Sequence, residues 1–582
     1  MRAFIKMVLA TMTGLFLYFI LSLIFILLLV SASGGKKETE VKAHSIIQLK
    51  LNTAIPDKVN ESPFAALSGL NDDPAMGLNE ILDNIDKAAA NSDVDGIFLD
   101  LTSLNAGMAS IEEIREALLK FKKSGKYIYA YSEGYSQASY YLASVATKIY
   151  LHPTGLAELK GLRSELLFFK GTLDKLGVEP QVFRHGKFKS AVEPFIQDKL
   201  SEANRAQIRT FLYSFWDHML ARISEARKIP VAELQNIASQ LLVTNAQSAK
   251  QYKLVDDLKY RDEVLEELKT KASAESIDKL PLLSLSEFKD AKDTREREKG
   301  DKIAVVYAEG DIVDGEGDEG QVGSVEFSEA LRKARLDEKV KAVVLRVNSP
   351  GGSALASETI WREVVLTKKV KPVVVSMGNV AASGGYYIAA PADVIVASPN
   401  TITGSIGVFG LFFNAKGFTN NLGVTVDTVK TAPMADIMTA SRGVTARESE
   451  IIQAEIERIY DNFITRVAEG RNIPKDQVDS IAQGRVWTGA DAKRLKLVDE
   501  FGGLEKAIEI AAKRAKLENY RITELPAREE PFEKILKKLG GASERSVLEK
   551  TLGPAFKYYE QMNHLMNMKS YQTRMPYQIE VY

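Results

Sequence analysis

A serine between glycines and a lysine among apolar residues are the two groups of this 582-residue chain best suited to covalent chemistry. Ser405 stands in Pro399-Asn400-Thr401-Ile402-Thr403-Gly404-Ser405-Ile406-Gly407, directly after a strand-like run. Glycines on both sides allow a tight turn and close approach of a substrate backbone. Thr403 occupies the first outer position, where the hydrolase elbow carries glycine, so that motif is excluded, and a plain loop serine is the bland alternative. Lys189 lies in Phe183-Arg184-His185-Gly186-Lys187-Phe188-Lys189-Ser190-Ala191-Val192-Glu193-Pro194-Phe195. Phe188, Ala191, Val192 and Phe195 favour burial, and burial lowers a lysine's pKa toward the range where it can act as a general base. An exposed lysine is the usual fate of the residue type, and Lys187 and His185 are alternative bases.

Two further segments could contribute. Asn348-Ser349-Pro350-Gly351-Gly352-Ser353 follows the apolar run Ala342–Val347, and its paired glycines can turn backbone N–H groups toward an oxyanion. A strand-to-helix turn without a ligand explains the same residues. Ala381-Ala382-Ser383-Gly384-Gly385-Tyr386-Tyr387 opens a helix with small residues, for which close packing is the better account, and Asp393 reads as structural.

The elements that must position these groups occur twice. Val94-Asp95-Gly96-Ile97-Phe98-Leu99 recurs as Val340-Lys341-Ala342-Val343-Val344-Leu345, Tyr140-Tyr141-Leu142-Ala143 as Tyr386-Tyr387-Ile388-Ala389, and Leu176-Gly177-Val178 as Leu422-Gly423-Val424, all at one constant offset. Lys253-Leu254-Val255-Asp256 recurs as Lys496-Leu497-Val498-Asp499 at a slightly shorter one. Under this alignment Ser405 faces Leu159 and Lys189 faces Ala435, so one copy keeps a possible nucleophile and the other a possible base. The first copy reads Thr102-Ser103-Leu104-Asn105-Ala106-Gly107 where the second has its double glycine.

Within each copy, short β-branched runs such as Ile303–Tyr307, Val373–Val375 and Val394–Val396 alternate with helical spacing at Phe327–Ala334, Glu358–Leu366 and Ala446–Glu469. Near-continuous apolar strands separated by helices predict an α/β fold on mostly parallel sheets. The expected organisation is an anchor over 1–35, a first repeat over 45–271, a charged, solvated connector over 272–301, a second repeat over 302–516 and a helical tail over 517–582.

Composition narrows the function. Lys plus Arg (76) balance Asp plus Glu (77), so no basic surplus asks for nucleic acid. Without cysteine there is no disulfide, thiolate catalysis or thiolate metal site, and the five histidines leave the second repeat without an imidazole. No metal or cofactor is expected. Val8 to Val30 is almost purely apolar and would form a helix of roughly 35 Å, against a hydrocarbon core about 30 Å thick. It exceeds the apolar length usual in a cleavable signal peptide. With Arg2 and Lys6 before it, an uncleaved transmembrane helix with the body outside the cytoplasm is expected.

Val347-Asn348-Ser349-Pro350-Gly351-Gly352-Ser353, Ala382-Ser383-Gly384-Gly385-Tyr386-Tyr387, Thr403-Gly404-Ser405-Ile406-Gly407-Val408 and Phe188-Lys189-Ser190-Ala191-Val192-Glu193-Pro194-Phe195 together resemble the signal peptide peptidase A, or protease IV, family of bacterial membrane-anchored serine peptidases in its long, duplicated form. The resemblance covers about residues 5–520. It implies two tandem repeats of the fold shared by Clp protease and the crotonases, and a Ser/Lys dyad with Ser405 as nucleophile and Lys189 as general base. Gly352 with the Ser405 backbone N–H, and less directly Gly351, would form the oxyanion hole. It further implies signal-peptide remnants as substrates, a homotetramer, and an inner-membrane location with the catalytic body on the periplasmic side. A crotonase-like acyl- or thioester-transfer enzyme and a non-catalytic membrane-tethered scaffold are the rival readings.

Overall fold

The computed structural model describes residues 2–33, 39–59, 76–295, 300–318, 320–526 and 572–575. Among them, each repeat builds one parallel-rich sheet. The first sheet runs, in spatial order, Asp257–Leu258, Lys148–Leu151, Tyr127–Ser132, Val94–Asp100, Ser45–Leu49, Leu282–Ser284, every pairing parallel. Alternate residues of these strands point to opposite faces. Ile47, Leu49, Ile97, Leu99 and Ile128 pack under helices Leu78–Ala90, Met108–Lys123 and Glu202–Arg227, whereas Ile46, Phe98, Tyr129 and Tyr150 pack under helix Arg261–Lys271. Burial on both faces is why the strands lack a polar alternation.

The second sheet repeats the plan. Its main path is Val486–Thr488, Ile402–Gly404, Val373–Ala382, Val340–Ser349, Lys302–Glu309, Arg521–Leu525. Val343, Leu345 and Val375 face helices Ala354–Lys368 and Ala446–Arg471, while Ala342, Val344 and Val374 face helix Leu504–Arg514. The duplication extends to single hydrogen bonds. Tyr140 Oη donates to Leu254 O and Tyr386 Oη to Leu497 O, both at 2.8 Å. Asp256 accepts from Ile149 N–H and Asp499 from Ile395 N–H, both at 2.7 Å, and each aspartate also pairs with an arginine, Arg227 or Arg471.

A third sheet joins the copies. Its order is Gln321–Gly323, Asp311–Val313, Gly351–Ser353, Gln572–Arg574, Phe409–Asn414, Glu179–Arg184. The last strand comes from the first repeat and pairs antiparallel with Phe409–Asn414 from Arg184↔Phe409 to Glu179↔Asn414. This pairing carries the chain leading to Lys189 against the chain leaving Ser405. A buried ion cluster fixes the same junction: Arg346 of the second repeat contacts Asp57 Oδ1 at 2.7 Å and Glu113 Oε1 at 2.8 Å, both from the first.

Two expectations change. The stretch 272–301 is not simply a solvated connector. Leu282–Ser284 is an edge strand beside Ser45–Leu49, and Phe288 is fully buried, because the charged stretch carries an apolar stripe the sheet can use. The described parts of the tail are strands, not helix: Arg521–Leu525 extends the second sheet along Lys302–Glu309 and Gln572–Arg574 enters the third. Open strand edges supply main-chain partners that residue periodicity does not announce. The rest of the expected helical tail, 527–571 and 576–582, lies outside the described residues. Arg2–Ser33 form one helix, yet among the described residues no helix is long and apolar enough to cross a membrane.

Candidate active site

Three neighbouring parallel strands, Val340–Ser349, Val373–Ala382 and Ile402–Gly404, end together. Ser349 pairs with Ala381, and Ala382 with Gly404. Their carboxyl ends therefore set the Gly351–Gly352 turn, Ser383 and Ser405 side by side, at the end of the sheet where α/β proteins bind ligands. Ser383 and Ser405 both take positive φ, +54° and +49°. That conformation is uncommon outside glycine and costs on the order of 1–3 kcal/mol each, a cost concentrated at functional sites.

Lys189 enters from the first repeat. It lies between the strand Glu179–Arg184 and the short helix Glu193–Ile196, with Phe188 N–H donating to Gln483 O at 3.0 Å. Glu193 locks the following turn by accepting from Ser201 Oγ and Asn204 Nδ2 at 2.6 and 2.8 Å. The 483–485 segment lies directly on the lysine: a Cβ on Gly484, where φ is +77°, would stand 2.6 Å from Lys189 Cβ. Only glycine lets the chain pass there.

Lys189 Nζ lies 3.0 Å from Ser405 Oγ, 3.0 Å from Ser405 O and 2.8 Å from Ser383 Oγ. Lys189, Ser383 and Ser405 are all fully buried. Burial drives the Lys189 ammonium well below its ordinary pKa, and burial is the sole cause. A neutral amine has two N–H donors and one lone pair. Those match the three contacts if Ser405 Oγ–H donates to Nζ while Nζ donates to Ser405 O and Ser383 Oγ.

The other candidates are placed as follows. His185 Nδ1 is 2.6 Å from Glu457 and its ring stacks on Tyr460, while Lys187 Nζ sits over the Phe188 ring; neither contacts Ser405. Gly351 and Gly352 lie in the strand Gly351–Ser353, with the Gly351 N–H donating to Ser349 Oγ at 3.2 Å. The Ser405 N–H, expected to face an oxyanion, donates instead to Arg485 O at 2.7 Å, and Gly484 N–H donates to Ile406 O at 2.8 Å. Physically, the antiparallel ladder between Ile402–Gly404 and Val486–Thr488 continues past Gly404 and captures that amide. Ser383 is the site residue that sequence reasoning passed over. It lay in a segment read as packing, and its positive φ leaves no mark in residue type.

Ser383→Ala removes one of the three Lys189 partners and leaves a buried N–H unmatched. It is expected to lower kcat about 10- to 100-fold with little change in KM, the size of one lost hydrogen bond to a charge that develops in the transition state. Steady-state kinetics on a peptide substrate, with a Ser383→Thr comparison that restores the hydroxyl, check this.

A buried serine hydroxyl 3.0 Å from a buried amine at the carboxyl ends of parallel strands is an arrangement suited to a serine hydrolase. The chain belongs to peptidase family S49, whose model matches residues 120–275 and 366–518, one segment in each repeat. It is 40% identical over 505 residues to Protease 4 of Salmonella typhi, covering 84% of this chain and 81% of that protein. Protease 4 of Haemophilus influenzae is 38% identical, over 83% of this chain and 82% of its own length. The chloroplastic serine protease SPPA of Arabidopsis thaliana is 34% identical, over 82% and 70%. Among solved structures, a Clp protease subunit of Listeria monocytogenes aligns with 35% of this chain and 94% of its own at 18% identity, with a TM-score of 0.24, too slight to carry an argument. The protein is a serine peptidase. Among the described residues no acidic or histidine cluster could hold a metal ion.

Proposed function

We propose that Ser405 is the nucleophile and Lys189 the general base of one endopeptidase site assembled from both repeats. The observation that carries this reading is the 3.0 Å contact between the buried Lys189 amine and Ser405 Oγ. Neutral Lys189 takes the hydroxyl proton as Oγ attacks a peptide carbonyl, and the ammonium so formed protonates the leaving amine. Water then enters, Lys189 takes its proton, and the acyl-enzyme is hydrolysed. Ser383 holds the amine on line. Gly352 supplies the amide side of the oxyanion hole, while the neighbouring Gly351 N–H is held by Ser349 Oγ.

The substrates are unfolded, apolar peptides, in particular signal-peptide remnants in the membrane. Helix Arg2–Ser33 is the anchor: Phe4, Met7, Met12, Leu15, Phe16, Leu17, Tyr18, Phe19 and Leu21 are exposed around it, a surface suited to lipid. The catalytic body then lies on the periplasmic side of a bacterial inner membrane, as a homotetramer, each repeat in the Clp/crotonase fold. Purified protein incubated with an apolar leader-length peptide and, separately, with an acyl-CoA tests this reading. Internal cuts in the peptide found by mass spectrometry, with the thioester intact, are expected; an intact peptide beside a hydrolysed thioester would favour acyl transfer instead.

A further inference from the structure

Among the described residues the strand Val486–Thr488 forms one edge of the second sheet, and helix Glu202–Arg227 of the first repeat meets that edge. An edge strand presents main-chain N–H groups that need partners once they are buried. Val486 N–H donates to Gln207 Oε1 at 3.2 Å, and two helical turns further on Ser214 Oγ lies 3.0 Å from Thr488 Oγ1. Gln207 is 1% exposed. Its Nε2 lies 3.0 Å from Ser190 Oγ, 3.0 Å from Asn204 Oδ1 and 3.3 Å from Phe188 O. Asn204 Nδ2 in turn donates to the buried carboxylate of Glu193 at 2.8 Å. Because a main-chain N–H can only donate, Oε1 of Gln207 must face Val486 and Nε2 the lysine segment.

These contacts close a ring around the dyad. Phe188 and Ser190 flank Lys189, and Val486 follows Arg485, whose O holds the Ser405 N–H. The ring runs from Lys189 Nζ to Ser405, through Arg485 and Val486, and back through Gln207 to Ser190. Its non-covalent links are hydrogen bonds between 2.7 and 3.2 Å. The internal duplication separates this role from helix packing. Helix Ala446–Arg471 is the counterpart of Glu202–Arg227: both have 26 residues, a hydroxyl N-cap at Thr445 or Ser201 and a left-handed C-cap at Asn472 or Lys228. Matching the caps sets Gln207 opposite Ile451, which is 40% exposed. The copy with Lys189 carries the carboxamide, and the copy with Ala435 in the lysine's place carries an exposed apolar side chain.

We infer that Gln207 is a positioning residue for the peptidase reaction: its carboxamide clamps the lysine-bearing segment of the first repeat to the strand of the second that pins the Ser405 main chain. This rests on the dyad reading above. The slot asks for an acceptor at one end and a donor at the other, which a carboxamide supplies without charge. Loss of the clamp lets the amine shift against the hydroxyl, and a displacement of about 1 Å costs the reaction far more than substrate binding.

The test compares the full-length protein with Gln207→Met, Ser190→Ala, the double variant and Ser214→Ala on one apolar fluorogenic peptide, with circular dichroism to confirm folding. Gln207→Met keeps the length without the polar atoms, and it lowers kcat about 10- to 100-fold while KM stays within about twofold. Ser190→Ala lowers kcat about threefold to tenfold. The double variant falls no further than Gln207→Met, because both residues act through one tie. Ser214→Ala touches the same strand but not the lysine segment, and it keeps the parent kcat. Parent kcat in folded Gln207→Met, a loss confined to KM, additive losses in the double variant, or an equal loss in Ser214→Ala overturns the inference. If Gln207→Met does not fold, Ser190→Ala decides, and parent kcat there overturns it. A fluorophosphonate adduct on a serine other than Ser405 in the parent overturns the dyad reading as well, whereas an adduct on Ser405 leaves that reading standing whatever the Gln207 variants do.

Discussion

Replacing Lys189 with methionine will stop peptide cleavage and leave a folded protein. The loss is expected to be about 10⁴-fold or more in kcat, because the base and nucleophile act as a unit. Stability should not fall with it. The amine is fully buried, with its ammonium form disfavoured by burial alone, so keeping it deprotonated opposes folding below its unfolded pKa. The sign follows from proton counts. Between the lowered folded pKa and about 10.4 the unfolded chain binds one proton more than the folded one, so this residue makes stability rise with pH, by up to about 1.4 kcal/mol per unit. Stability is fully regained only above the unfolded pKa and is lost as pH falls toward the folded one. Methionine, of similar shape and without a charge to desolvate, removes that slope. Urea denaturation at several pH values, alongside kinetics, checks both halves; an inactive Lys189→Met protein that is also unfolded would mean the lysine serves the fold instead.

Arg346→Met is expected to be the most damaging substitution outside the dyad. Arg346 is 1% exposed, and its guanidinium joins Asp57 and Glu113 of the first repeat and Ser376 Oγ, the last at 2.9 Å. Glu113 also accepts from Leu504 N–H at 2.8 Å, so it ties helix Met108–Lys123 to helix Leu504–Arg514. Removing the cation leaves two buried carboxylates without a countercharge, at a cost of about 3–5 kcal/mol. Activity should fall as well, since the lysine and serine belong to different repeats that this cluster registers. Adding Asp57→Asn and Glu113→Gln to the same chain should recover much of the loss, because the unpaired charges disappear. Beside them Glu309, which accepts the Asp57 N–H at 3.1 Å, is pushed up to about 7 by burial and by the Asp57 charge. There the folded state holds the extra proton, so the junction weakens as pH rises from about 4.5 through 7. A denaturation midpoint for Arg346→Met within about 1 kcal/mol of the parent would contradict this account of the junction.

The sheets and the meeting of Ser405 with Lys189 were legible because duplication supplied an internal comparison. Runs such as Val343-Val344-Leu345 and Ile97-Phe98-Leu99 are buried on both faces and show it in their composition. The serine and lysine stood out because each faces a residue, Leu159 or Ala435, that cannot do its chemistry. What escaped depends on pairing between distant segments. Gln572-Thr573-Arg574 is a short polar run with no strand signature, and Leu282–Ser284 sits inside a charged stretch; each is a strand only because an open edge waits for it. The Ser405 amide was assigned to an oxyanion because the sequence does not reveal that Arg485 O, eighty positions away, extends a ladder to it. Ser383 escaped for a backbone reason, a positive φ at a residue whose type does not require one.

The central claim is that one serine, activated by a lysine from the other repeat, does the chemistry. It is tested most directly by labelling the parent protein and its Lys189→Met variant with a fluorophosphonate and locating the adduct by mass spectrometry. The account predicts a single adduct on Ser405 that forms in the parent and is lost, or slowed by orders of magnitude, in the folded variant. An adduct on another serine, or labelling of Ser405 at the parent rate without Lys189, would contradict it.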